Sequence, residues 1–376
     1  MSLPGSWCTT PSGRPRARGA GIPFPGQPGA HNSITDVPGV EVGYTTLISG
    51  DGPLVVGEGP IRTGVTALFP RGAALAPEPV FAGFFCMGGN GEATGAQIIV
   101  EQGRFEGPVT LTNTHSCGIA RDATAQWLSR RVRDEDRPAP FWLPVAAETC
   151  DQLLNDISGH HLTREHVFAA FEDARTGPVD EGSVGGGTGM TTYQFKAGSG
   201  TASRQLRVGD NDYTVGAFVQ ANFGKRHLMA IAGIPMGHHF PLEQALPESR
   251  GSIIGVIATD APLLPHALDR LARRAAFGIA RSGGIASNES GDFFIAFSTA
   301  NYPAVAQHKG IASLSSVTEG ELSPFYQAAI EATDEAIINS MVASETMVGR
   351  DGNTAPGLPL ARVQEILAYH RRLELP

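Results

Sequence analysis

The sequence lacks both a long apolar run and a basic cluster. No stretch approaches the ~18 consecutive apolar residues that a membrane-spanning helix needs. The formal net charge is -9 over 376 residues, and no block of lysine and arginine stands out. Because nucleic acids are recognised by basic patches, we expect neither a nucleic-acid partner nor a membrane partner.

Cysteine is also scarce. The chain has four cysteines, and no two of them have C-x-x-C spacing. So few thiols fit a reducing compartment, in which they stay free and buried. Residues 1–29 are rich in Pro, Gly and Arg and contain no apolar segment typical of a secretory signal or an anchor. We therefore expect a cytoplasmic protein whose residues 1–29 form a loose, extended N-terminal arm.

What the chain does contain is typical of a globular protein with many turns. Hydrophobic residues make up 41% of the sequence, with 47 glycines and 27 prolines. Predicted strands and helices mix without a strict βαβ repeat, and residues 191–196, 203–208 and 213–222 form an antiparallel meander. We predict an α+β fold of two packed sheets with helices outside, as a single domain over residues 30–376. Further strands are predicted at 36–48, 64–70, 80–86, 109–114, 141–147, 228–234 and 293–298, and helices at 93–102, 117–133, 164–174, 265–280, 323–345 and 358–369.

One junction has an unusual composition. The apolar run from Ile253 to Ala258 predicts a strand buried on both faces, and Gly251 and Ser252 precede it directly. A hydroxyl after a flexible glycine, at the first position of a buried strand, suits a self-cleaving N-terminal nucleophile. Cleavage would give Ser252 a free α-amine, whose ordinary pKa of about 7.7–8.0 suits a base. Taken alone, a plain turn before a strand explains the junction better, and residues 237–250 would be the processing loop.

Polar residues end several other predicted strands. Ser290 and Asp292 lie two apart on an extended backbone and so point the same way; they could polarise another hydroxyl, or form an ordinary turn. Glu148 could bind a substrate ammonium or cap a turn. Asn222 could donate to an oxyanion or satisfy a loop backbone. Residues 113–116 could include a site residue, but a capping and turn role is the preferred interpretation.

Two further patterns do not predict a cofactor site. The glycine-rich segment 182–189 lacks the lysine of a P-loop and precedes a strand, so a close-packed turn or flexible loop is favoured over a phosphate site. It could also line a pocket wall. Histidines 160, 161, 166, 238 and 239 do not have metal-ligand spacing, and we interpret them as surface or loop residues.

Taken together and in order, several segments resemble the DmpA-like L-aminopeptidase/D-Ala-esterase/amidases and β-peptidyl aminopeptidases. The matching segments span most of the chain after about residue 18 and are 34–43, 111–116, 144–149, 185–190, 219–224, 251–254, 290–299 and 345–352. The resemblance implies an αββα sandwich, layered like N-terminal nucleophile hydrolases but differently connected. It further implies self-cleavage at Gly251-Ser252 into an α chain (1–251) and a β chain (252–376). Members usually form tetramers of the αβ unit and use no metal or organic cofactor.

The resemblance also implies roles for single residues. By position, Ser252 resembles the nucleophile. Ser290 and Asp292 resemble the serine and the acidic residue that assist it. Asn222 resembles the oxyanion-hole residue, and Glu148 the carboxylate that holds the substrate's free amine.

The chain departs from the family pattern at two of its positions. Many members carry glutamate where this chain has the shorter Asp292. Members often carry tyrosine where this chain has Cys150, and a thiol is a weaker hydrogen-bond donor than a phenol. If that tyrosine assists the oxyanion, Cys150 is expected to change rate or substrate range.

The implied function is an aminopeptidase that hydrolyses amide or ester bonds of substrates with a free amino terminus. Its acyl-enzyme would form on Ser252; whether L-peptides, D-residue amides and esters, or β-peptides are preferred stays open. One alternative is a self-cleaving acyltransferase of the ornithine acetyltransferase type, although those enzymes use a threonine nucleophile. The other is a non-enzymatic binding protein that is never cleaved.

Overall fold

The computed structural model describes residues 3–132, 141–241 and 251–374. Most of the predicted processing loop, residues 242–250, lies outside this part of the chain. Its helices are α1 Gly5–Cys8, α2 Ala96–Gln102, α3 Cys117–Ser129, α4 Arg164–Asp173, α5 Pro265–Ser282, α6 Ser323–Val342 and α7 Leu360–Tyr369. Its strands are β1 Glu41–Ser49, β2 Ile61–Phe69, β3 Val80–Gly89, β4 Arg104–Phe105, β5 Val109–Asn113, β6 Ala146–Thr149, β7 Thr191–Thr192, β8 Phe195–Lys196, β9 Ser199–Val208, β10 Asn211–Asn222, β11 Ser252–Thr259, β12 Gly291–Ser298, β13 Met347–Val348 and β14 Thr354–Ala355. No helix in the described ranges is long and apolar enough to cross a bilayer.

The larger strands form two sheets that pack face to face. One has the order β4-β3-β12-β11-β10-β9 and the other β1-β2-β5-β6. A buried apolar cluster between them joins residues of both sheets, such as Leu111 and Val256. A second cluster fills the space between the larger sheet and helices α5, α6 and α7. A third, with Phe69 and Trp127, lies between the smaller sheet and helices α3 and α4. The layers therefore run helix, sheet, sheet, helix, which confirms the predicted αββα sandwich.

Strand β11 lies at the centre of the larger sheet, antiparallel to β10 and parallel to β12. Every residue from Ser252 to Thr259 is buried. Ile254 and Val256 belong to the cluster between the sheets, whereas Ile253 and Ile257 belong to the cluster under the helices. Because successive side chains point to opposite faces, burial of both faces requires the unbroken apolar run seen in the sequence.

Four predicted elements differ from the observed ones. The strand pair predicted over 36–48, around Pro38-Gly39, is a single strand, β1, that follows a 3-10 turn at Ile34–Asp36. The strand predicted at 141–147 is β6, which starts later and continues to Thr149. The strand predicted at 191–196 is a small hairpin, β7 and β8, whose turn residues Tyr193 and Gln194 have positive φ. The strand predicted at 228–234 was wrong: this segment follows a 3-10 turn and forms only an isolated bridge between Ile231 and Ile234.

The glycine-rich segment is a close-packed turn. Gly185–Gly187 form a buried 3-10 turn between the two sheets. A Cβ atom on Gly186 would lie 2.1 Å from Gln220 Oε1 and 2.4 Å from the Leu111 carbonyl oxygen. Packing therefore requires glycine there, and the segment is a close-packed turn and not a flexible loop.

The N-terminal arm is not loose. Ala17 and Ile22 are buried in the core beneath the helices. Arg18 forms a bidentate ion pair with Glu335 of α6, with its Nε 2.8 Å from Oε1. Arg204 of β9 contacts the same carboxylate, with Nη2 2.7 Å from Oε2. Burial alone would raise the pKa of Glu335, but Arg204 and Arg18 outweigh it and lower the pKa to about 2.

Glu335→Gln is therefore expected to destabilise the fold. The substitution removes the carboxylate charge that pairs with buried Arg204 and partly buried Arg18, and breaking a buried ion pair typically costs about 3–5 kcal/mol. Because the folded pKa lies below the unfolded one, the stabilisation is present above about pH 4.3 and is lost as the pH falls toward 2. Urea unfolding at pH 7 measures the loss, with exposed Glu321→Gln as the control. A change of under 1 kcal/mol for Glu335→Gln would contradict a structural role for the network.

Candidate active site

The edge of the larger sheet brings three strand ends together. Ser252 is the first residue of β11, and its register partners are Asn222, the last residue of β10, and Gly291, the first residue of β12. The Gly291 N–H lies 3.4 Å from the carbonyl oxygen of Gly251. Ser252 is only 5% exposed but still lines a cavity of about 380 Å³. The hydroxyl is thus fixed by a buried strand and yet faces a space that a small molecule can enter.

Ser290 and Asp292 flank the register partner of Ser252. The Ser290 hydroxyl donates to Asp292 Oδ1 at 2.7 Å, and the Ile253 N–H donates to the same oxygen at 3.1 Å. Burial raises the pKa of Asp292 to about 6, while these two hydrogen bonds act in the opposite direction. Oδ2 of Asp292 has no hydrogen-bond partner among the described residues. The predicted geometry, with both side chains on one side of the strand, is present.

Glu148 is held beside the cavity by two chain segments. One carboxylate oxygen accepts from the Thr114 hydroxyl, and the other accepts from the Glu92 N–H at 2.9 Å. A Cβ atom on Gly91 would lie 2.9 Å from Glu148 Oε1, so only glycine allows this approach. Burial raises the pKa of Glu148, and the hydrogen bonds from Thr114 and Glu92 partly offset it. The carboxylate is therefore fixed in place and poorly solvated.

The cavity joins this carboxylate to the serine. Glu148, Cys150 and Ser252 all contribute to its wall. The remaining lining residues are mostly polar and comprise Asn90, Gly91, Glu92, Thr114, His115, Gln152, Ile157, Gly251 and Glu289. Burial raises the pKa of the Cys150 thiol, so the thiol is the form present at neutral pH.

Asn222 lies beside Ser252 on the neighbouring strand β10, and both the oxygen and the nitrogen of its side-chain amide are hydrogen-bonded. The Thr191 N–H donates to Asn222 Oδ1 at 3.0 Å, and Asn222 Nδ2 donates to the Cys150 carbonyl at 2.9 Å. Because a backbone N–H can only donate and a carbonyl can only accept, these partners define the orientation of the amide. Nδ2 carries a second hydrogen, which has no acceptor among the described residues.

A second cavity, of about 400 Å³, adjoins the first. It is lined by Ser290 and Asp292 and shares Gly251 and Glu289 with the first cavity. Its other lining residues are Thr191, Gln194, Phe223, Gly224, Lys225, Ile285, Ala286, Ser287 and Asn288. The Gly251-Ser252 junction therefore lies where two cavities meet.

Sequence patterns alone did not indicate Glu92 and Thr191, and for residues 113–116 they favoured a capping role over a site residue. Asn113 does cap the turn after β5, accepting from the Ser116 N–H at 3.0 Å, but its neighbour Thr114 holds Glu148. Glu92 and Thr191 act through backbone N–H groups, which leave no signal in side-chain composition. Among the described residues, no group of three or more His, Cys, Asp or Glu side chains could hold a metal ion.

Comparison with known sequences gives matches over nearly the whole chain. The sequence profile described as Peptidase family S58 matches residues 32–355. Beta-peptidyl aminopeptidase BapA of Sphingosinicella microcystinivorans is 48% identical over 375 residues, which covers 96% of this chain and 93% of that protein. The protein of the same name from Sphingosinicella xenopeptidilytica is 45% identical, with 93% of this chain and 91% of that protein covered.

Solved structures of similar proteins also match this chain over nearly its whole length. The L-aminopeptidase D-Ala-esterase/amidase of Ochrobactrum anthropi is described as a prototype for the serine aminopeptidases and a variant of the Ntn hydrolase fold. It superposes with a TM-score of 0.90 at 44% identity and covers 96% of this chain and 100% of its own. A beta-aminopeptidase from Burkholderia sp. gives a TM-score of 0.84 at 44% identity, covering 94% and 98% of the two chains.

The raised pKa of Asp292 predicts that its charge destabilises the fold. A buried carboxyl with a pKa of about 6 folds more favourably when protonated, so its contribution to stability decreases as the pH rises from about 4 to above 6. Asp292→Asn keeps Oδ1 as the acceptor and is expected to be about 2–3 kcal/mol more stable at pH 8, with no difference below about pH 4.

This comparison is made by urea unfolding in a Ser252→Ala background, in which the expected cleavage cannot occur. Exposed Asp210→Asn serves as the control and is expected to show no such pH dependence. A stability difference for Asp292→Asn that is the same at pH 4 and pH 8 would contradict the burial argument.

Proposed function

Since the chain belongs to peptidase family S58 and is a serine aminopeptidase, we propose that Ser252 is its nucleophile, released by cleavage of the Gly251-Ser252 bond. The observation that carries this proposal is that the Ser252 hydroxyl and the buried Glu148 carboxylate line one cavity. A serine supplies the nucleophile, and a carboxylate in the wall of the same cavity suits the free ammonium of a peptide.

In the maturation step that we propose, Ser252 Oγ attacks the Gly251 carbonyl carbon. The peptide C–N bond breaks, leaving an ester on Oγ and a free α-amine on Ser252. Water then hydrolyses the ester, so that Gly251 becomes the C-terminus of residues 1–251. The Gly291 N–H beside the Gly251 carbonyl supports stabilisation of the developing oxyanion. The two chains stay together because β10 of the first pairs along its length with β11 of the second.

The proton on the Ser252 hydroxyl needs an acceptor. In turnover the new α-amine of Ser252 supplies one base, with an ordinary pKa of about 7.7–8.0; during maturation this nitrogen is still part of the peptide bond and cannot accept the proton. The Ser290 hydroxyl donates to Asp292, so its oxygen is oriented with its lone pairs free to accept a proton. We assign Ser290 and Asp292 the role of assisting proton transfer, with Asp292 acting despite being shorter than the glutamate of many family members.

In turnover, Glu148 holds the substrate ammonium while Ser252 attacks the carbonyl of the scissile amide or ester. The second hydrogen of Asn222 Nδ2 donates to the oxyanion, and such a donor typically contributes about 2.7–4 kcal/mol. The leaving group departs with a proton, and water releases the acyl group. Cys150 contributes its backbone carbonyl to the Asn222 amide and its thiol to the cavity wall.

The substrate class proposed is a small peptide, or an aminoacyl amide or ester, with a free amino terminus. Two relatives at 45% and 48% identity are named beta-peptidyl aminopeptidases, which favours substrates with an N-terminal β-amino acid residue. A cytoplasmic location and assembly as a tetramer of αβ units belong to the same proposal. Hydrolysis of an aminoacyl p-nitroanilide, set against acetyl transfer to glutamate, separates this function from an acyltransferase.

Ser252→Ala is expected to abolish both cleavage and turnover. Without the hydroxyl, no ester can form at Gly251, and no acyl-enzyme can form with substrate. On a denaturing gel the variant should run as one band, whereas wild type should give bands for residues 1–251 and 252–376. Two bands from the variant, or one full-length species from wild type, would contradict the assignment of Ser252 as the self-cleaving nucleophile.

Glu148→Gln is expected to impair recognition of the free amine selectively. Truncating one partner of a buried charge pair costs about 2–5 kcal/mol, so kcat/KM for a free-amine p-nitroanilide should fall by about 100-fold. The slow hydrolysis of the N-acetylated analogue should stay within about threefold, since it has no ammonium to lose. Exposed Glu165→Gln is the control. An equal loss for both substrates would show that Glu148 does not recognise the amine.

A further inference from the structure

A lysine that the proposed mechanism does not use lies buried next to the site. Lys196 in β8 is 0% exposed. Its Nζ donates to the carbonyl oxygens of Met190 at 2.9 Å and Ala197 at 2.6 Å. No ion pair within the described ranges includes it, and burial lowers the pKa of its amine to about 7. A buried amine held by backbone carbonyls is costly, so its presence calls for an explanation.

One of these carbonyls belongs to the peptide unit that contacts Asn222. The Met190 carbonyl and the Thr191 N–H are the two ends of a single planar peptide group. The N–H end donates to Asn222 Oδ1 at 3.0 Å. Lys196 is also the register partner of Thr191 across the β7–β8 hairpin, which holds donor and acceptor in place. Hydrogen bonds therefore run in series from the Lys196 amine through one peptide group to the Asn222 amide.

Each bond in this series polarises the next in the same direction. A donor on the Met190 carbonyl withdraws electron density from the peptide, which makes the Thr191 N–H a stronger donor; the effect is largest while the amine is protonated, below its pKa of about 7. That N–H in turn withdraws density from Asn222 Oδ1, so the hydrogens on Nδ2 become stronger donors. The same contacts prevent the amide from rotating, because its oxygen and nitrogen have different obligatory partners.

We propose that Lys196 is a positioning residue of the oxyanion site, which orients the Asn222 amide and strengthens it as a donor through the Met190–Thr191 peptide. This inference rests on the proposed oxyanion role of Asn222. Its consequence is that an amine outside both cavities contributes to the rate without touching the substrate.

The competing explanation is a purely structural tie. Lys196 also connects the hairpin to the C-terminal part of the chain, since its backbone N–H donates to the Pro356 carbonyl at 2.7 Å. In that case the side-chain hydrogen bonds to Met190 and Ala197 would only help to hold the hairpin, and losing them would lower stability without acting specifically on the transition state.

Lys196→Met, which preserves length and removes the charge, separates the two explanations. In cleaved, purified enzyme we expect kcat to fall about tenfold, because the hydrogen bond that the amine donates to the Met190 carbonyl is lost. KM should stay within about twofold, since the oxyanion exists only in the transition state. Exposed Lys309→Met is the control for loss of a lysine and should keep wild-type kcat. A rise in KM with unchanged kcat would overturn the proposal.

A double-mutant cycle with Asn222→Ala gives the decisive result. If Lys196 acts through Asn222, Lys196→Met should cost less than about twofold in the Asn222→Ala background. An equal loss in both backgrounds would overturn the relay and support a structural tie. If Lys196→Met does not give folded, cleaved protein, Lys196→Gln is measured in the same cycle, with the same expected non-additivity.

The outcomes also separate this inference from the function on which it rests. If Asn222→Ala keeps full kcat, the proposed oxyanion role fails and the relay fails with it. If Asn222→Ala loses kcat while the Lys196 variant keeps wild-type kcat, the relay alone is overturned.

Discussion

The pairing of β11 between β10 and β12 is the constraint on which the rest of the site depends. Burial of both faces of β11 fixes its register, because a shift by one residue would move its apolar side chains to the opposite layers. That register places Ser252 between Asn222 and Gly291. The groups proposed to attack and to stabilise charge are thus positioned by strands whose faces are buried in two apolar clusters.

The polar groups around this junction are fixed by hydrogen bonds from backbone N–H groups. Asp292 accepts from Ile253, and Glu148 accepts from Glu92. Burial raises the pKa of both carboxylates, so the site carries an electrostatic cost that the large apolar core sustains. Lys196 carries a similar electrostatic cost, because its amine is buried and no ion pair in the described ranges includes it. It lies close to the Asn222 amide that it is proposed to orient.

Local sequence predicted the parts of the structure whose signal is local. An apolar run predicted β11, and the spacing of Ser290 and Asp292 predicted that their side chains point the same way, as their hydrogen bond requires. Partners distant in sequence gave no such signal. The Pro- and Gly-rich composition of residues 1–29 suggested a loose arm. The ion pair that fixes Arg18 gave no local signal, because its partner Glu335 lies 317 residues further along the chain. The contact between Thr114 and Glu148 likewise depends on two strands of the smaller sheet meeting in parallel.

The most direct test of the central claim is to locate the acyl group in the working enzyme. Wild-type protein is mixed with a free-amine aminoacyl ester, quenched in acid during turnover and examined by intact and peptide mass spectrometry. The proposed mechanism predicts a polypeptide of residues 252–376 that carries the aminoacyl mass on Ser252, with residues 1–251 unlabelled. An acyl group on any other residue, or on an uncleaved chain, would contradict it.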